Sequence, residues 1–417
     1  MAGTPLAHGP AQGYVMRMKL TAEIAVVGGG PSGLVAAIAL AAAGADTVLY
    51  APPAAGPDRR TTALLNGSVR TLEALGLWQA LAPHTAPLAR LRLVDVTRRL
   101  IRAPEVTFAA AELRLEAFGH NIENEILRRE LRATAGKRVK LRVVEAAIDA
   151  VVPDDSGVTL RAGGHEERVR LVVAADGRHS ICRKAAGIKT SRREFAQTVL
   201  TMNLRHSRPH RNISTEFHTE SGPFTLVPLP GNRSSLVWAV ELREAEALLA
   251  LDDAKLSHEV ERRAHSILGR MEIDGARGSF PLAIAVAERF ADQRIALVGE
   301  AGHLLPPIGA QGLNLGIRDA ATIAELVADT LRVDADIGGD AVLNDYEARR
   351  RPDVRNRALA VELMNRSLLT DLLPVHALRG FGLDLASRFG FVRRALMREG
   401  LGPRDDAAPR LARGEAL

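Results

Sequence analysis

The stretch 25-AVVGGGPSGLVAAIALAAAGADTVLYAP-52 decides the fold of this chain. The apolar run at residues 24–27 predicts a short buried strand, and the alanine-rich run at residues 34–43 predicts a helix. A second apolar run at residues 47–50 predicts another strand before a Pro-rich loop. A strand, a helix and a strand in this order begin a βαβ unit, so we expect an α/β domain built on a parallel sheet.

The glycine spacing in this stretch is that of a dinucleotide-binding turn. Gly28, Gly30 and Gly33 match G-x-G-x-x-G between a predicted strand and a predicted helix. The first glycine permits the tight turn, the second lets a pyrophosphate approach the backbone, and the third lets the helix pack on the strand. Pro31 and Ser32 begin the helix, and a helix N-terminus attracts phosphate. The motif predicts a bound dinucleotide and does not choose between FAD and NAD(P).

The second predicted strand is followed by Ala51, where such units usually carry an acid for the adenosine ribose. An alanine methyl group accepts no hydrogen bond from a ribose hydroxyl. We therefore expect the hold on the adenosine end to be weakened at this position.

The composition is that of a globular protein with a large core and more than one domain: 417 residues, 47% hydrophobic and 25% charged. The single cysteine, Cys182, excludes an internal disulfide and a multi-cysteine metal site, and we expect no metal. Residues 1–20 are mixed and polar, unlike a secretory signal, and predict a flexible N-terminal tail. The long small-apolar run contains three consecutive glycines and Pro31, which make a poor membrane span, so we expect a cytoplasmic protein.

The net charge of +6 is concentrated near the C-terminus, where residues 347–417 hold 14 Arg against 9 Asp and Glu. Apolar residues recur at helical spacing among the arginines of residues 367–402. Such a segment suits the surface of an anionic inner membrane, a partner protein or the chain's own domain, and the pattern leaves these open. The chain has 10 Phe, 3 Tyr and 2 Trp and no nucleic-acid module, so nucleic-acid binding is not expected.

Further along the chain, apolar spacing predicts helices over residues 63–78 and 121–135. Alternating apolar and polar residues at 88–110 and through most of 191–282 predict antiparallel strands. Residues 294–302 return to a buried strand, and a glycine-rich turn then leads into a long helix. We expect a β-sheet domain inserted into the α/β domain.

Two later motifs are ambiguous when each is taken alone. Asp176-Gly177 follows a buried strand and is consistent with an ordinary turn. The segment 297-LVGEAGHLLPPIGAQGLNLGIRDA-320 brings glycines to a helix start, where free backbone N–H groups can face an anion or an electron-rich ring. Its Asn314 and Asp319 are also consistent with simple helix-start residues.

Together, the three glycine motifs in this order resemble the fingerprints of the group-A FAD-dependent aromatic monooxygenases, the para-hydroxybenzoate-hydroxylase-like family. Five finer features are similar to its ubiquinone-biosynthesis hydroxylase branch: Arg60-Thr-Thr-Ala-Leu64, Glu123-Asn124, the strand pattern at 222–238, Ser279-Phe-Pro-Leu282 and 314-NLGIRD-319. The resemblance runs from about residue 23 to residue 402.

The resemblance implies a Rossmann-like FAD-binding domain with an inserted antiparallel β-sheet substrate domain and a helical C-terminal region. The implied bounds are 21–190 and 283–345 for the FAD-binding domain, with 88–110 adding strands to the substrate sheet, 191–282 for the substrate domain and 346–417 for the helical region. The residues implied to bind FAD are Gly28, Gly30, Pro31, Ser32, Gly33, Arg60, Asn124, Asp176, Gly177, Gly299, Glu300, Pro306, Gly309, Gly312, Leu313 and Asn314.

The resemblance also implies the reaction. NAD(P)H reduces the flavin, O2 gives a C4a-hydroperoxyflavin, and one oxygen is transferred to an electron-rich ring, here a polyprenylated phenol of ubiquinone biosynthesis. The substrate is expected between the flavin and the inserted sheet, against Phe224, Leu226, Pro228 and Trp238, although the same residues suit ordinary sheet core. No catalytic base is identified; His218 and His303 are candidates by residue type only.

Two departures from the family pattern concern the cofactor. Glu300 stands where the family has aspartate, and Ala51 stands where it has the ribose acid. Two other functions remain open at this point: a hydroxylase of the same fold for a soluble phenol, and a non-catalytic flavin-binding scaffold within a quinone-biosynthesis complex.

Overall fold

The computed structural model describes residues 21–53, 56, 58, 60–98, 102–369, 373–401 and 407–417, so the tail expected at 1–20 lies outside the described residues. The strands are β1 Ile24–Val27, β2 Thr47–Tyr50, β3 Thr61–Leu65, β4 Ala86–Pro87, β5 Arg90–Asp95, β6 Val106–Ala109, β7 Gly119–Glu123, β8 Leu141–Val144, β9 Ala150–Asp154, β10 Gly157–Ala162, β11 His165–Val169, β12 Leu171–Ala174, β13 Thr190–His206, β14 Ile213–Thr219, β15 Gly222–Leu229, β16 Arg233–Glu241, β17 Met271–Ile273, β18 Gly278–Ala287, β19 Ala291–Asp292, β20 Ile295–Leu297 and β21 His303–Leu304. The helices are α1 Pro31–Ala42, α2 Asn66–Ala74, α3 Trp78–Leu81, α4 Asn124–Ala135, α5 Ile181–Ala185, α6 Leu242–Leu249, α7 Asp253–Arg263, α8 Gln311–Arg332, α9 Asp340–Leu369, α10 Leu373–Arg388, α11 Gly390–Leu401 and α12 Arg410–Arg413.

The first sheet has the strand order β19-β20-β12-β1-β2-β8 and is parallel except at β19. Its central strands are buried on both faces, as the apolar runs require. The helices α1 and α8 pack together over one face of this sheet. Parallel strands present their carboxyl ends at one edge, and the glycine turn at 28–33 leaves the sheet at that edge.

The larger sheet has the order β21-β18-β13-β16-β15-β14-β5-β6, with β17 paired to β13. It is antiparallel except where β5 runs parallel to β14. One face is closed by α6 and α7, two helices that the sequence pattern does not predict. The other face is turned towards the first sheet's carboxyl edge, and it carries the side chains that matter for the site.

A small sheet with the order β3-β7-β4 joins the two larger ones. Here the predicted helices over 63–78 and 121–135 are wrong at their starts, because residues up to Leu65 and up to Glu123 form paired strands. The N–H of Asn124 still donates to the carbonyl of Arg60 at 2.9 Å, and α4 begins at that residue. Cross-strand pairing therefore overrides a helical apolar pattern at both segments.

The C-terminal part is helical, as expected from its spacing. α9 contains Pro352, and α10 and α11 follow it back towards the larger sheet, where Met397 packs with Val106 and Phe108 of β6. Within the described ranges, none of these helices has a stretch that is both long and apolar enough to cross a membrane.

Candidate functional site

A cavity of about 1450 Å³ lies where the carboxyl edge of the parallel sheet meets the open face of the larger sheet. It extends to the C-terminal helices, which contribute Met364, Leu396 and Met397. Of the residues predicted to bind FAD, those that line it are Gly30, Pro31, Ser32, Gly33, Arg60, Asn124, Gly177, Gly299, Glu300, Pro306, Gly309, Gly312 and Leu313. The three sequence motifs thus meet on one wall, although they are far apart in the chain.

The first wall element is the glycine turn between β1 and α1. Gly28 has φ +120°, and a Cβ there would lie 2.2 Å from the carbonyl oxygen of Ala175. A Cβ on Gly33 would lie 2.0 Å from the carbonyl oxygen of Gly28, whereas one on Gly30 would meet nothing within 4 Å. The turn is therefore packed against protein at Gly28 and Gly33 and open to the cavity at Gly30. The helix start at Pro31 has no side-chain cap, so its backbone dipole faces the cavity and suits a pyrophosphate.

The second wall element is the start of α8. Gly309 has φ +66° and Ala310 φ +54°, so two successive left-handed residues turn the chain into the helix. α8 approaches α1 closely, because a Cβ on Gly316 would lie 2.4 Å from the Oγ of Ser32. Two helix N-termini consequently face one cavity, and their unpaired N–H groups can stabilise negative charge on a bound ring or phosphate.

Asn314 lies behind this wall. Its Oδ1 accepts hydrogen bonds from the N–H of Leu65 at 2.8 Å and the hydroxyl of Ser68 at 2.6 Å. Its Nδ2 donates to the carbonyls of Ala63 at 2.8 Å and Ala310 at 2.6 Å. With every position of its amide used, Asn314 braces β3 and α2 against the turn before α8.

Asp176 and Gly28 also lie behind the wall. The Oδ2 of Asp176 accepts from the N–H groups of Ile181 at 2.8 Å and Cys182 at 3.2 Å and so caps α5. Its Oδ1 is buried and has no hydrogen-bond partner among the residues that the structure describes. Gly177, with φ +77°, turns the chain back to the cavity. The wall is thus formed by neighbours that Asp176 positions.

Arg60 is not a free cation at the wall. Its Nε and Nη2 both donate to Asp58 at 2.8 Å, and Asn124 donates to the same carboxylate at 3.1 Å. Burial raises the pKa of Asp58, but the hydrogen bonds and charge of Arg60 outweigh it and hold that pKa below its ordinary value. This cluster is a fixed polar corner with a half-exposed guanidinium.

Glu300 lies three positions after the end of β20 and lines the cavity with a half-exposed side chain. Its carboxylate lies 3.7 Å from the guanidinium of Arg178. The carboxylate that the family pattern expects after this strand is therefore on the wall in its longer form.

The expectation that Phe224, Leu226, Pro228 and Trp238 face the cavity is wrong. Phe224, Leu226 and Trp238 are buried against α6 and α7, and the rings of Phe224 and Trp238 meet edge to face at 5.3 Å. Pro228 is also buried and off the cavity wall. Because strand side chains alternate between faces, the cavity is lined on the same strands by Pro223, Thr225, Val227, Ser235 and Val237.

The sequence reasoning missed Glu216, an acid on the cavity face of the larger sheet. Its Oε1 lies 3.1 Å from Nε2 of His218, and its Oε2 accepts from the hydroxyl of Thr225 at 3.2 Å. The alternation in 213-ISTEFHT-219 was the available signal, since it places residues 214, 216 and 218 on one face. His218 is buried beside this carboxylate.

The other candidate histidine, His303, belongs to a buried charge network. Its Nε2 lies 2.7 Å from Oδ2 of Asp319, which also accepts from the N–H of Gly299 at 3.0 Å. The Nε of Arg350 donates to the second oxygen of Asp319 at 2.7 Å. Burial raises the pKa of Asp319, but the charges of His303 and Arg350 prevail and hold it below its ordinary value. The ionised Asp319 thereby fixes the turn that carries Gly299 and Glu300.

Three comparisons place this geometry among known proteins. Residues 21–359 match the family model described as FAD binding domain. The chain is 35% identical to the ubiquinone hydroxylase UbiL of Rhodospirillum rubrum over 99% of this chain and 97% of that protein. It is 32% identical to the 3-demethoxyubiquinol 3-hydroxylase of Escherichia coli over 91% of this chain and 98% of that protein.

Among solved structures, p-nitrophenol 4-monooxygenase PnpA from Pseudomonas putida has a TM-score of 0.76 at 19% identity, over 93% of this chain and all of that one. This likeness confirms the fold. The chain belongs to the FAD-binding family of aromatic monooxygenases, as the order of its glycine motifs predicted, and FAD is its cofactor.

Proposed function

We propose that this FAD-binding family member hydroxylates the aromatic ring of a polyprenylated ubiquinone precursor, with NAD(P)H as reductant and O2 as oxygen source. The observation that carries the proposal is the shared cavity. It joins two helix N-termini to a sheet face, and it continues to an apolar wall on the C-terminal helices. The two relatives at 35% and 32% identity are named for hydroxylation of ubiquinone or a ubiquinol.

In this proposal the open turn at Gly30 and the start of α1 would hold the pyrophosphate of FAD. Glu300 would accept hydrogen bonds from the ribityl chain, and the turn at Gly309 and Gly312 would hold the pyrimidine end of the ring. The absence of a clashing neighbour at Gly30 and Gly312 supports this placement. The bound flavin supplies the oxygen-transfer chemistry, and the protein supplies position and electrostatics.

The substrate ring then lies between the turn before α8 and the sheet face of Thr225, Val227 and Val237. Glu216 is the acid on that face, with Thr225 and His218 holding its two oxygens. We assign it to accept the hydrogen bond of the substrate's phenolic hydroxyl, which makes the ring more electron-rich as the proton is drawn away. The apolar side chains of Met364, Leu396 and Met397 suit a prenyl chain leaving the cavity.

A prenylated substrate is held in lipid, and we propose that the protein meets it at an anionic membrane surface. Exposed apolar side chains lie on α10 and α11 at Phe381, Phe391 and Leu396, and between these helices at Phe389. Arg388 and Arg398 are exposed on the same helices. Apolar and cationic side chains exposed together suit adsorption to anionic lipid.

The decisive experiment is deletion of the gene in the host, followed by mass spectrometry of the accumulated quinone intermediates. One prenylated phenol lacking a single hydroxyl should accumulate and should be converted by the purified, FAD-loaded protein with NAD(P)H and O2. Normal quinone levels, together with turnover of a soluble phenol, would assign a soluble-substrate hydroxylase instead. A yellow protein that never consumes NAD(P)H in the presence of the accumulated intermediate would indicate the non-catalytic scaffold.

A further inference from the structure

The acid that this family places after the second strand is missing, and the structure shows why Ala51 cannot serve the cofactor. Ala51 is fully buried, and a Cβ on Gly29 would lie only 2.7 Å from the Cβ of Ala51. Its N–H donates to the carbonyl of Val144 at 2.9 Å. The residue is therefore enclosed between the glycine turn and the neighbouring strand β8.

The same edge of the sheet carries another carboxylate one strand away. β2 and β8 are parallel neighbours with Tyr50 opposite Val144, so the residues that follow, Ala51 and Glu145, leave the sheet side by side. Neighbouring strands are about 4.8 Å apart, a distance that a glutamate side chain spans. Glu145 lines the cavity together with Pro52 and Pro53, the residues directly after Ala51.

The side chain of Glu145 is held in place and still accessible. It pairs through Oε1 with the guanidinium of Arg132 on α4, and 66% of the side chain is exposed. Its Oε2 accepts no hydrogen bond from the residues that the structure describes. A carboxylate with one oxygen anchored and the other open can accept hydrogen bonds from a pair of ribose hydroxyls.

The other acids on the described wall are committed elsewhere. Asp58 is bound by Arg60 and Asn124, and Glu300 follows β20 on the far side of the glycine turn. Glu216 lies on the larger sheet, away from the parallel strands that hold the glycine turn. Glu145 alone among them stands at the corner formed by β2, β8 and the last turn of α4.

We infer that Glu145 binds the adenosine ribose of FAD and replaces, from the adjacent strand, the acid lost at Ala51. The inference rests on FAD as the cofactor and does not depend on which phenol is hydroxylated. An exposed ion pair between Glu145 and Arg132 would by itself contribute little to stability, so binding measurements can separate a ribose contact from a mere surface pair.

The test compares FAD with FMN, which lacks the adenosine. Apoprotein with Glu145→Gln is titrated with each flavin by fluorescence quenching. Glu130→Gln serves as the control, because Glu130 pairs with Arg129 on α4 and does not line the cavity. A hydrogen bond to a charged group corresponds to about a 10–100-fold change in affinity. We expect Glu145→Gln to raise the Kd for FAD by that factor, to leave the Kd for FMN unchanged, and Glu130→Gln to change neither.

A second titration uses a flavin dinucleotide whose adenosine lacks the 2′ and 3′ hydroxyl groups. The unmodified protein should bind it about 10–100-fold more weakly than FAD, whereas this difference should be smaller for Glu145→Gln, whose neutral amide oxygen is a weaker acceptor. Equal loss of FAD and FMN affinity in Glu145→Gln, or undiminished FAD binding, would overturn the inference. Either result leaves hydroxylation by the unmodified protein untouched, so the proposed function is judged separately.

Discussion

Glu216 shows at the scale of a single residue how the open sheet face gains a chemical function. Side chains such as Val227 and Val237 line this face of the sheet, and a carboxylate among apolar side chains must be held by hydrogen bonds. Thr225 and His218 supply these bonds. A carboxylate held in this way presents a fixed acceptor to whichever hydroxyl enters the cavity.

Replacing this acid tests the role assigned to it. Glu216→Gln keeps the size of the side chain and removes the charge that draws the phenolic proton, so kcat for hydroxylation should fall by about 10²-fold or more. The FAD affinity should stay the same, because Glu216 lies on the sheet that faces the substrate. Steady-state turnover and a flavin titration measure the two quantities. Glu246→Gln on the outside of α6 is the matched control, and unchanged turnover in Glu216→Gln would refute the assignment.

At the scale of an element, the turn between β1 and α1 contains one glycine that is needed for packing, Gly33, and one that leaves room for the cofactor, Gly30. Gly33→Ala should destabilise the protein with or without FAD, because its Cβ would overlap the carbonyl of Gly28. Gly30→Ala should leave the melting temperature of the apoprotein unchanged and weaken FAD binding, because its methyl group would occupy the space proposed for the pyrophosphate. Thermal melting with and without FAD distinguishes them, and equal behaviour of the two variants would contradict the placement of the cofactor.

Helices α8 and α9 are joined by a second set of buried charges. Asp353 accepts from Arg318 at 2.6 Å and from Arg350 at 2.7 Å. Burial raises the pKa of Asp353, but the two guanidinium groups outweigh it and lower the pKa from 3.8 to about 2. A pKa lowered by folding stabilises the protein above the unfolded value and loses that contribution as the pH falls, here by about 2 kcal/mol between pH 4 and pH 2.

Removal of this carboxylate should therefore lower the unfolding free energy at neutral pH. It should also make that free energy depend less on pH in the acid range. Asp353→Asn removes the carboxylate that two buried arginines share and leaves Arg350 with Asp319 alone, so it should cost about 3–5 kcal/mol of unfolding free energy at pH 7. Its stability should also decline less than that of the unmodified protein between pH 4 and pH 2. Urea unfolding over this pH series measures both effects. Glu166→Gln, which affects the exposed pair with Arg161, should cost less than about 1 kcal/mol; an equal cost would argue against the network.

Secondary-structure elements were predictable from the sequence where the residues of the element itself determine its bounds. The bounds of β1 and β2 follow from short apolar runs interrupted by glycine and proline, and the structure confirms them. The face of β15 that lines the cavity could not be predicted, because residues on both of its faces are apolar. The larger Phe224 and Leu226 turn towards α6 and α7. The smaller Thr225 and Val227 remain to line an open space.

The candidate site follows the same division. The glycine motifs identified the wall because a tight turn or a close backbone approach requires glycine, and glycine is visible in the sequence. Asp176 and Asn314 were expected at the cofactor and instead hold the wall from behind, since a motif does not distinguish a residue that contacts a ligand from one that positions the contact. Glu145 gave no signal because its role depends on a strand neighbour 94 positions earlier, as its register with β2 shows.

At the scale of the whole molecule, the cavity opens beside an exposed apolar surface. Phe389 and Phe391 lie with their rings 5.9 Å apart and are both exposed. Substitution of both by serine should lower binding to phosphatidylglycerol vesicles by about 10-fold or more, since each buried phenylalanine contributes about 1.5–3 kcal/mol. Vesicle flotation measures the effect. Leu242→Ser, an equally exposed apolar residue on α6, should leave binding unchanged, and unaltered flotation of the double variant would count against membrane contact.

The brace made by Asn314 has a consequence for biosynthesis. Leu65 and Asn314 are 249 positions apart in the chain, and the wall is incomplete until both are present. At about 5–20 residues per second, a ribosome needs about 12–50 s to travel this distance. The glycine turn is synthesised first and the brace that completes the wall only after this interval, so we expect the cofactor site to form late in translation.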